Sequence, residues 1–145
     1  MSKKVKFNYA NVHFSFSSKT KLKEHIELLF KLENTALEEV HYIFCDDAYL
    51  LTINQSFLNH DTLTDIITFP LHEQGRPIVG EIYISIERVK ENAKHFATSF
   101  GTELVRVMSH GALHLCGYKD KTKAQQTEMR TKEDHYISIF NTNNL

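Results

Sequence analysis

An α+β fold is predicted, with a small mixed four-stranded sheet, about five helices and a metal site on a buried C-terminal helix. Three observations carry it. Strand and helix patterns alternate through the first half of the chain, and only helical patterns follow residue 86. Two β-branched runs, 65–71 and 79–85, are separated by a segment containing Gly75 and Pro77, which suits neighbouring antiparallel strands. Finally, residues 103–120 are apolar around most of a helix circumference, apart from one narrow polar stripe.

The elements follow in order. Val5–Ala10 and His13–Phe16 alternate as a strand or a bent pair of strands. Ser17 or Ser18 caps a helix in which Leu22, Ile26, Leu29 and Phe30 form one stripe. Val40–Cys45 is β-branched and aromatic, and Asp46 or Asp47 caps a helix running to about Phe57. Residues 58–64 read as a polar loop. After the two strands, helices are expected from Ile86 to about Thr98, from about Thr102 to Cys116, and from about Thr122 to Ile139.

With 145 residues, 41% hydrophobic and 24% charged, residues 1–145 read as one domain with a sizeable core. No apolar run approaches the roughly 20 residues of a membrane helix. The basic N-terminus has no apolar stretch behind it, so no secretory signal is read there. The two cysteines, Cys45 and Cys116, are too few for a disulfide framework. A cytoplasmic protein with no membrane partner is expected. The net charge of −1 excludes a global basic field, although residues 1–23 hold six lysines and no acid. Such a patch suits phosphate or, more plainly, a solvated edge.

The chemistry concentrates in Glu103–Asp120. Glu103, Arg106, His110 and His114 are spaced three, four and four apart and share one helix face. Imidazoles at i and i+4 can converge on one metal ion. Gly111 is expected to leave access beside the pair, and Gly117 to end the helix by a left-handed turn. The chain then reverses through Tyr118-Lys119-Asp120, from which a third ligand can swing back. Two imidazoles, a carboxylate and an open position form a known catalytic zinc set. The residue after His110 is glycine, so the H-E-x-x-H glutamate of metalloproteases is absent.

The run His110-Gly111-Ala112-Leu113-His114-Leu115-Cys116-Gly117-Tyr118 is similar to the H-G-x-L-H-L-x-G-Y-D-H signature of the YbeY family. Thr64–Pro70 resembles that family's P-T-D-V-L-S-F-P strand and Gly80–Ser85 its G-D-I-x-I-S strand, in the same order. The resemblance implies a zinc-dependent, single-strand-specific endoribonuclease of ribosomal RNA maturation and ribosome quality control. It implies one Zn²⁺ per chain, single-stranded ribosomal RNA as substrate, and the ribosome or ribosomal proteins as partners. The family's third ligand is a histidine ten residues after the first. Asp120 stands there, giving the expected set His110, His114 and Asp120. An arginine in the family's N-x-x-Y-R pattern is replaced by Leu58, for which His60 or Lys119 would substitute.

No further catalytic residue is picked out. Asp65 is expected either to orient a ligand histidine or to make a strand-entry hydrogen bond. Glu103 and Arg106 read as a solvated or ion-paired face, Cys116 as a small core residue, and the remaining histidines as surface or satisfied groups. Tyr42, Phe44, Phe69 and Tyr83 read mostly as core. An RNA groove is expected along the lysine-rich N-terminal region and sheet edge. Two rival functions stay open: a non-catalytic, ribosome-associated RNA-binding factor with a structural metal, and a zinc hydrolase of another substrate. The missing glutamate weighs against peptides.

Overall fold

The computed structural model describes residues 2–14, 18–58 and 64–143. Its elements are β1 (Val5–Ala10), α1 (Lys19–Leu32), β2 (Leu37–Cys45), α2 (Asp47–Leu58), β3 (Ile66–Pro70), β4 (Ile78–Ser85), α3 (Ile86–His95), α4 (Phe100–Leu115) and α5 (Lys123–Asn143). The sheet order is β1-β2-β4-β3. β1 and β2 are parallel, β2 and β4 are parallel, and β3 runs antiparallel to β4. The α+β expectation, with a mixed four-stranded sheet, five helices and the histidine pair on a buried helix, is met.

Side chains alternate across the sheet as a two-residue period requires. Val40, Tyr42 and Phe44 of β2 and Ile78, Ile82 and Ile84 of β4 face the main core, which α1, α3, α4 and α5 cover. Cys45, Leu50 and Ile67 form a smaller cluster, with Phe69 and Tyr83 packed against it. Those aromatics are core groups, as expected, and Tyr42 also donates its hydroxyl to the Met108 carbonyl at 2.8 Å. No helix among the described residues is long and apolar enough to cross a membrane.

Two glycines let α4 lie close on the sheet. A Cβ at Gly80 would stand 2.8 Å from a Leu115 methyl, and one at Gly111 would stand 2.9 Å from Ile66 and 3.0 Å from Ile82. Gly111 therefore faces packed isoleucines, and the expectation that it opens access to the histidines is corrected. Helix position tells the same story: Gly111 lies off the polar stripe and on the buried side of α4.

Two boundaries differ from the sequence reading, and of the two candidate caps for α2 one is used. Residues 12–14 are irregular, so no strand forms there, and 15–17 lie outside the described residues. Asp46 caps α2 by accepting from the Tyr49 N–H at 2.8 Å. The helix expected to reach Thr98 stops at His95, because Ala97 turns into the left-handed region (φ 52°) and Thr98 N–H bonds back to the Ala93 carbonyl at 2.9 Å.

His25 is neither a surface nor a satisfied histidine. It is 4% exposed on α1, its ring meets Tyr136 and Phe140 edge-on, and its Nε2 has no hydrogen-bond partner among the described residues. Burial pulls its pKa down to about 4 from an ordinary 6.5. Above pH 6.5 the ring is neutral whether folded or unfolded, so its contribution is constant. Between 6.5 and 4 only the unfolded chain takes the proton, and stability falls by about 1.4 kcal/mol per pH unit, about 3 kcal/mol in all. Urea denaturation at a series of pH values should show this decline, and His25→Phe should flatten it. A slope unchanged in His25→Phe would assign the decline to other groups.

Candidate metal centre

The apolar circumference of α4 buries ten of its sixteen residues against sheet and neighbouring helices and leaves His110 and His114 half-buried on its open side. The helix stops by a Schellman turn. Gly117 takes φ 107°, its N–H bonds the His114 carbonyl at 3.0 Å, and the Tyr118 N–H bonds the Leu113 carbonyl at 3.1 Å. This turn aims the Tyr118 carbonyl back at the helix, where it accepts from His114 Nδ1 at 2.9 Å. It also returns Asp120 to the histidines.

His110 Nε2 and His114 Nε2 are 3.0 Å apart, and Asp120 Oδ2 lies 3.3 Å from each. Ligand atoms about 2.0–2.1 Å from a tetrahedral zinc stand about 3.3 Å from one another, so this triangle fits such an ion. Each residue offers one ligand atom, and the three could together hold a metal. The geometry thus brings together all three residues that the sequence had put forward.

The outer nitrogens are already engaged. His110 Nδ1 donates to Glu133 Oε2 at 2.6 Å, and His114 Nδ1 donates to a carbonyl that can only accept. Both Nδ1 atoms carry the proton, which leaves both Nε2 lone pairs facing Asp120. At His110, burial works against the imidazolium, but the Glu133 hydrogen bond and the charges of Glu133, Asp120 and Asp65 outweigh it and raise its pKa.

Glu133 went unnoticed in the sequence. It sits 7% exposed on α5, with its other oxygen taking Arg106 Nη1 at 2.9 Å, while Arg106 Nη2 reaches Asp134 at 2.7 Å. Arg106 and Glu103 are ion-paired, as expected: Arg106 Nε lies 4.0 Å from a Glu103 oxygen, and Glu103 is only 4% exposed. Burial raises the Glu103 and Asp65 carboxyl pKa values. Asp65 bonds neither His110 nor His114 directly. Its Oδ2 accepts from Asn92 at 3.2 Å and its carbonyl accepts from the Ser85 N–H at 3.0 Å. The histidine-orienting role belongs to Glu133. Cys116 packs against the main core and is not among the possible ligands, as expected.

A further carboxylate, Glu33 at the end of α1, ties down the loop that carries Asp120. It accepts the Tyr118 hydroxyl at 2.7 Å, Lys132 Nζ at 3.1 Å and the Tyr136 hydroxyl. Burial opposes its charge, yet these donors hold its pKa below the usual carboxylate range.

His110 and Asp120 sit where two open grooves meet, and His114 lines the first of them. One, of about 940 Å³, follows β3 past Ile67, Thr68 and Pro70 to His72, with Lys121 on its rim. The other, of about 620 Å³, runs between α3, α4 and α5 past Arg88, Phe96 and Arg130. His110, Asp120, Thr64, Asp65 and Ile66 line both.

None of the six N-terminal lysines lines either groove, so that expectation is corrected. Sheet order is the reason: β1 lies at the edge opposite β3. There Lys6 pairs with Glu39 at 2.5 Å, and Lys19 and Lys23 lie over the rings of Tyr9 and Phe7. Of the substitutes considered for an arginine at Leu58, Lys119 is exposed and lines neither groove, and His60 lies outside the described residues.

Fold and site define an α+β protein with a His–His–Asp group suited to a divalent cation, open on two sides. The family model described as Endoribonuclease YbeY matches residues 4–141. A Flavobacterium psychrophilum protein named Endoribonuclease YbeY is 50% identical over 136 residues, covering 94% of this chain and 96% of that one. A Cytophaga hutchinsonii protein of the same name is 43% identical over 129 residues, covering 89% and 90%. The solution structure of a Thermotoga maritima protein superposes with a TM-score of 0.66 at 31% identity, covering 95% of this chain and 93% of that one. The chain belongs to the YbeY family.

Proposed function

We propose that this protein is a single-domain, zinc-dependent endoribonuclease that cuts single-stranded RNA in the cytoplasm during ribosomal RNA maturation. His110, His114 and Asp120 hold the ion. The relatives' shared name supports the reaction class. The observation that carries the reading is the position of the ligand cluster, with His110 and Asp120 at the junction of two grooves and His114 lining the first. A polynucleotide cut internally must extend both ways from the scissile phosphate, and this junction lets it do so.

Bound there, zinc supplies Lewis acidity, polarising a phosphoryl oxygen and bringing the pKa of water down to about 7. The chain does the rest. Glu133 and the Tyr118 carbonyl hold both imidazoles in the tautomer that leaves Nε2 free. Asp120 brings one negative charge to the ion, which makes this site less cationic than one with three neutral imidazoles. Lys121, on the rim beside Asp120, sits where it can meet backbone phosphate.

The test is metal content alongside cleavage. Purified protein should hold one zinc per chain, cut a single-stranded oligoribonucleotide and spare the same sequence in a duplex. It should lose activity to a chelator and regain it with zinc. Stoichiometric zinc with RNA binding but no cleavage would instead favour the non-catalytic ribosome-associated factor. Undiminished cleavage by metal-free protein would overturn the mechanism.

A further inference from the structure

The groove between α3, α4 and α5 holds three arginines, and two of them are committed. Arg88 Nε bonds both carboxylate oxygens of Asp47 at 3.1 Å, and Arg106 is clamped by Glu133 and Asp134. Arg130 is exposed on α5 and has no ion pair or hydrogen bond among the described residues. Its guanidinium lies over the ring of Phe96, 5.9 Å from the centroid.

Phe96 ends α3 and is 54% exposed. One exposed phenylalanine has no meaning alone. This one shares a groove with His110 and Asp120, and a cation covers it. The acids nearby are held by other partners: Glu133 is bonded to His110 and Arg106; Glu103, which also feels the Arg130 charge, is ion-paired with Arg106 at 4.0 Å; and Asp65 holds Asn92.

An aromatic face beside an unpaired guanidinium is the chemistry that takes unpaired nucleotides. Bases stack on aromatic rings and on arginine planes, and the guanidinium pairs with phosphate. We infer that Phe96 and Arg130 form a nucleotide subsite, stacking one base of a single-stranded RNA and binding its adjoining phosphate as the strand leaves the metal centre. The inference rests on the endoribonuclease reading and gives it a physical basis for preferring single strands, since a paired base has no free face to offer.

Cleavage kinetics of the zinc-loaded protein on a short single-stranded oligoribonucleotide test it. Phe96→Ala and Arg130→Ala should each raise KM roughly 5- to 100-fold with little change in kcat, because stacking acts on binding. Phe96→Leu, which keeps apolar bulk without the aromatic face, should behave like Phe96→Ala. Arg130→Ala should also flatten the salt dependence of KM by about one phosphate contact, and Phe96→Ala should not. Lys90→Ala, an exposed charge on α3 outside this groove, serves as the control with wild-type KM. Zinc content and melting temperature establish that each variant is folded. A wild type that cleaves, beside Phe96 and Arg130 variants with unaltered KM and salt slope, sinks the subsite alone. A zinc-loaded wild type that neither binds nor cleaves RNA sinks the endoribonuclease reading and the subsite with it.

Discussion

A His114→Ala variant is expected to purify without stoichiometric zinc and to cleave single-stranded RNA no faster than background, while remaining folded. The side chain is 28% exposed and contributes one hydrogen bond to the Tyr118 carbonyl, so its loss costs the fold only about 1 kcal/mol. The metal loses far more. Catalytic zinc sites take three protein ligands, and only His110 Nε2 and Asp120 Oδ2, 3.3 Å apart, would remain. Metal analysis and a cleavage assay on the same preparation decide the matter. Full activity in a zinc-free His114→Ala sample would show that the reaction does not depend on this triangle.

Glu133→Ala should weaken the protein in two ways at once. Removing the carboxylate frees His110 Nδ1 to rotate or change tautomer, and losing such a partner typically costs 10- to 100-fold in metal affinity. It also strands the Arg106 guanidinium, whose side chain is 18% exposed. Breaking a buried pair from one side costs about 3–5 kcal/mol, and Asp134, still 2.7 Å from Nη2, keeps the loss near the lower figure. Glu133→Gln retains an acceptor for His110 but turns an amide toward the arginine, so its affinity loss should sit near tenfold. Zinc titration calorimetry and urea denaturation measure the two effects separately. Wild-type zinc affinity in Glu133→Ala would remove this residue from the site.

What the sequence could reveal here was set by distance along the chain. His110 and His114 are one turn apart, and Asp120 follows six residues after His114, across a glycine stop whose geometry is a local rule. Those three were therefore readable in order. Glu133 is 23 residues beyond His110, on a helix with acids at several positions, and only the packing of α5 on α4 selects it. Glu33 is 85 residues from Tyr118 and reads as an ordinary helix end. Gly111 next to His110 suggested an opening, but rotation about the helix axis points it at Ile66 and Ile82. The N-terminal lysines misled for a topological reason: β2 and β4 separate β1 from β3, and lysine density carries no information about strand order.

The placement of Glu133 on α5 bears on when a metal could be held tightly. During synthesis α4 and the Asp120 loop emerge well before Tyr136, yet His110 lacks its orienting carboxylate until α5 has docked, and the Asp120 loop lacks its full anchorage until Lys132 and Tyr136 reach Glu33. Chains halted before that helix would hold the histidine pair without its supports. Tight loading thus waits for α5 to dock, and a chain not yet extended that far is a poor competitor for the ion.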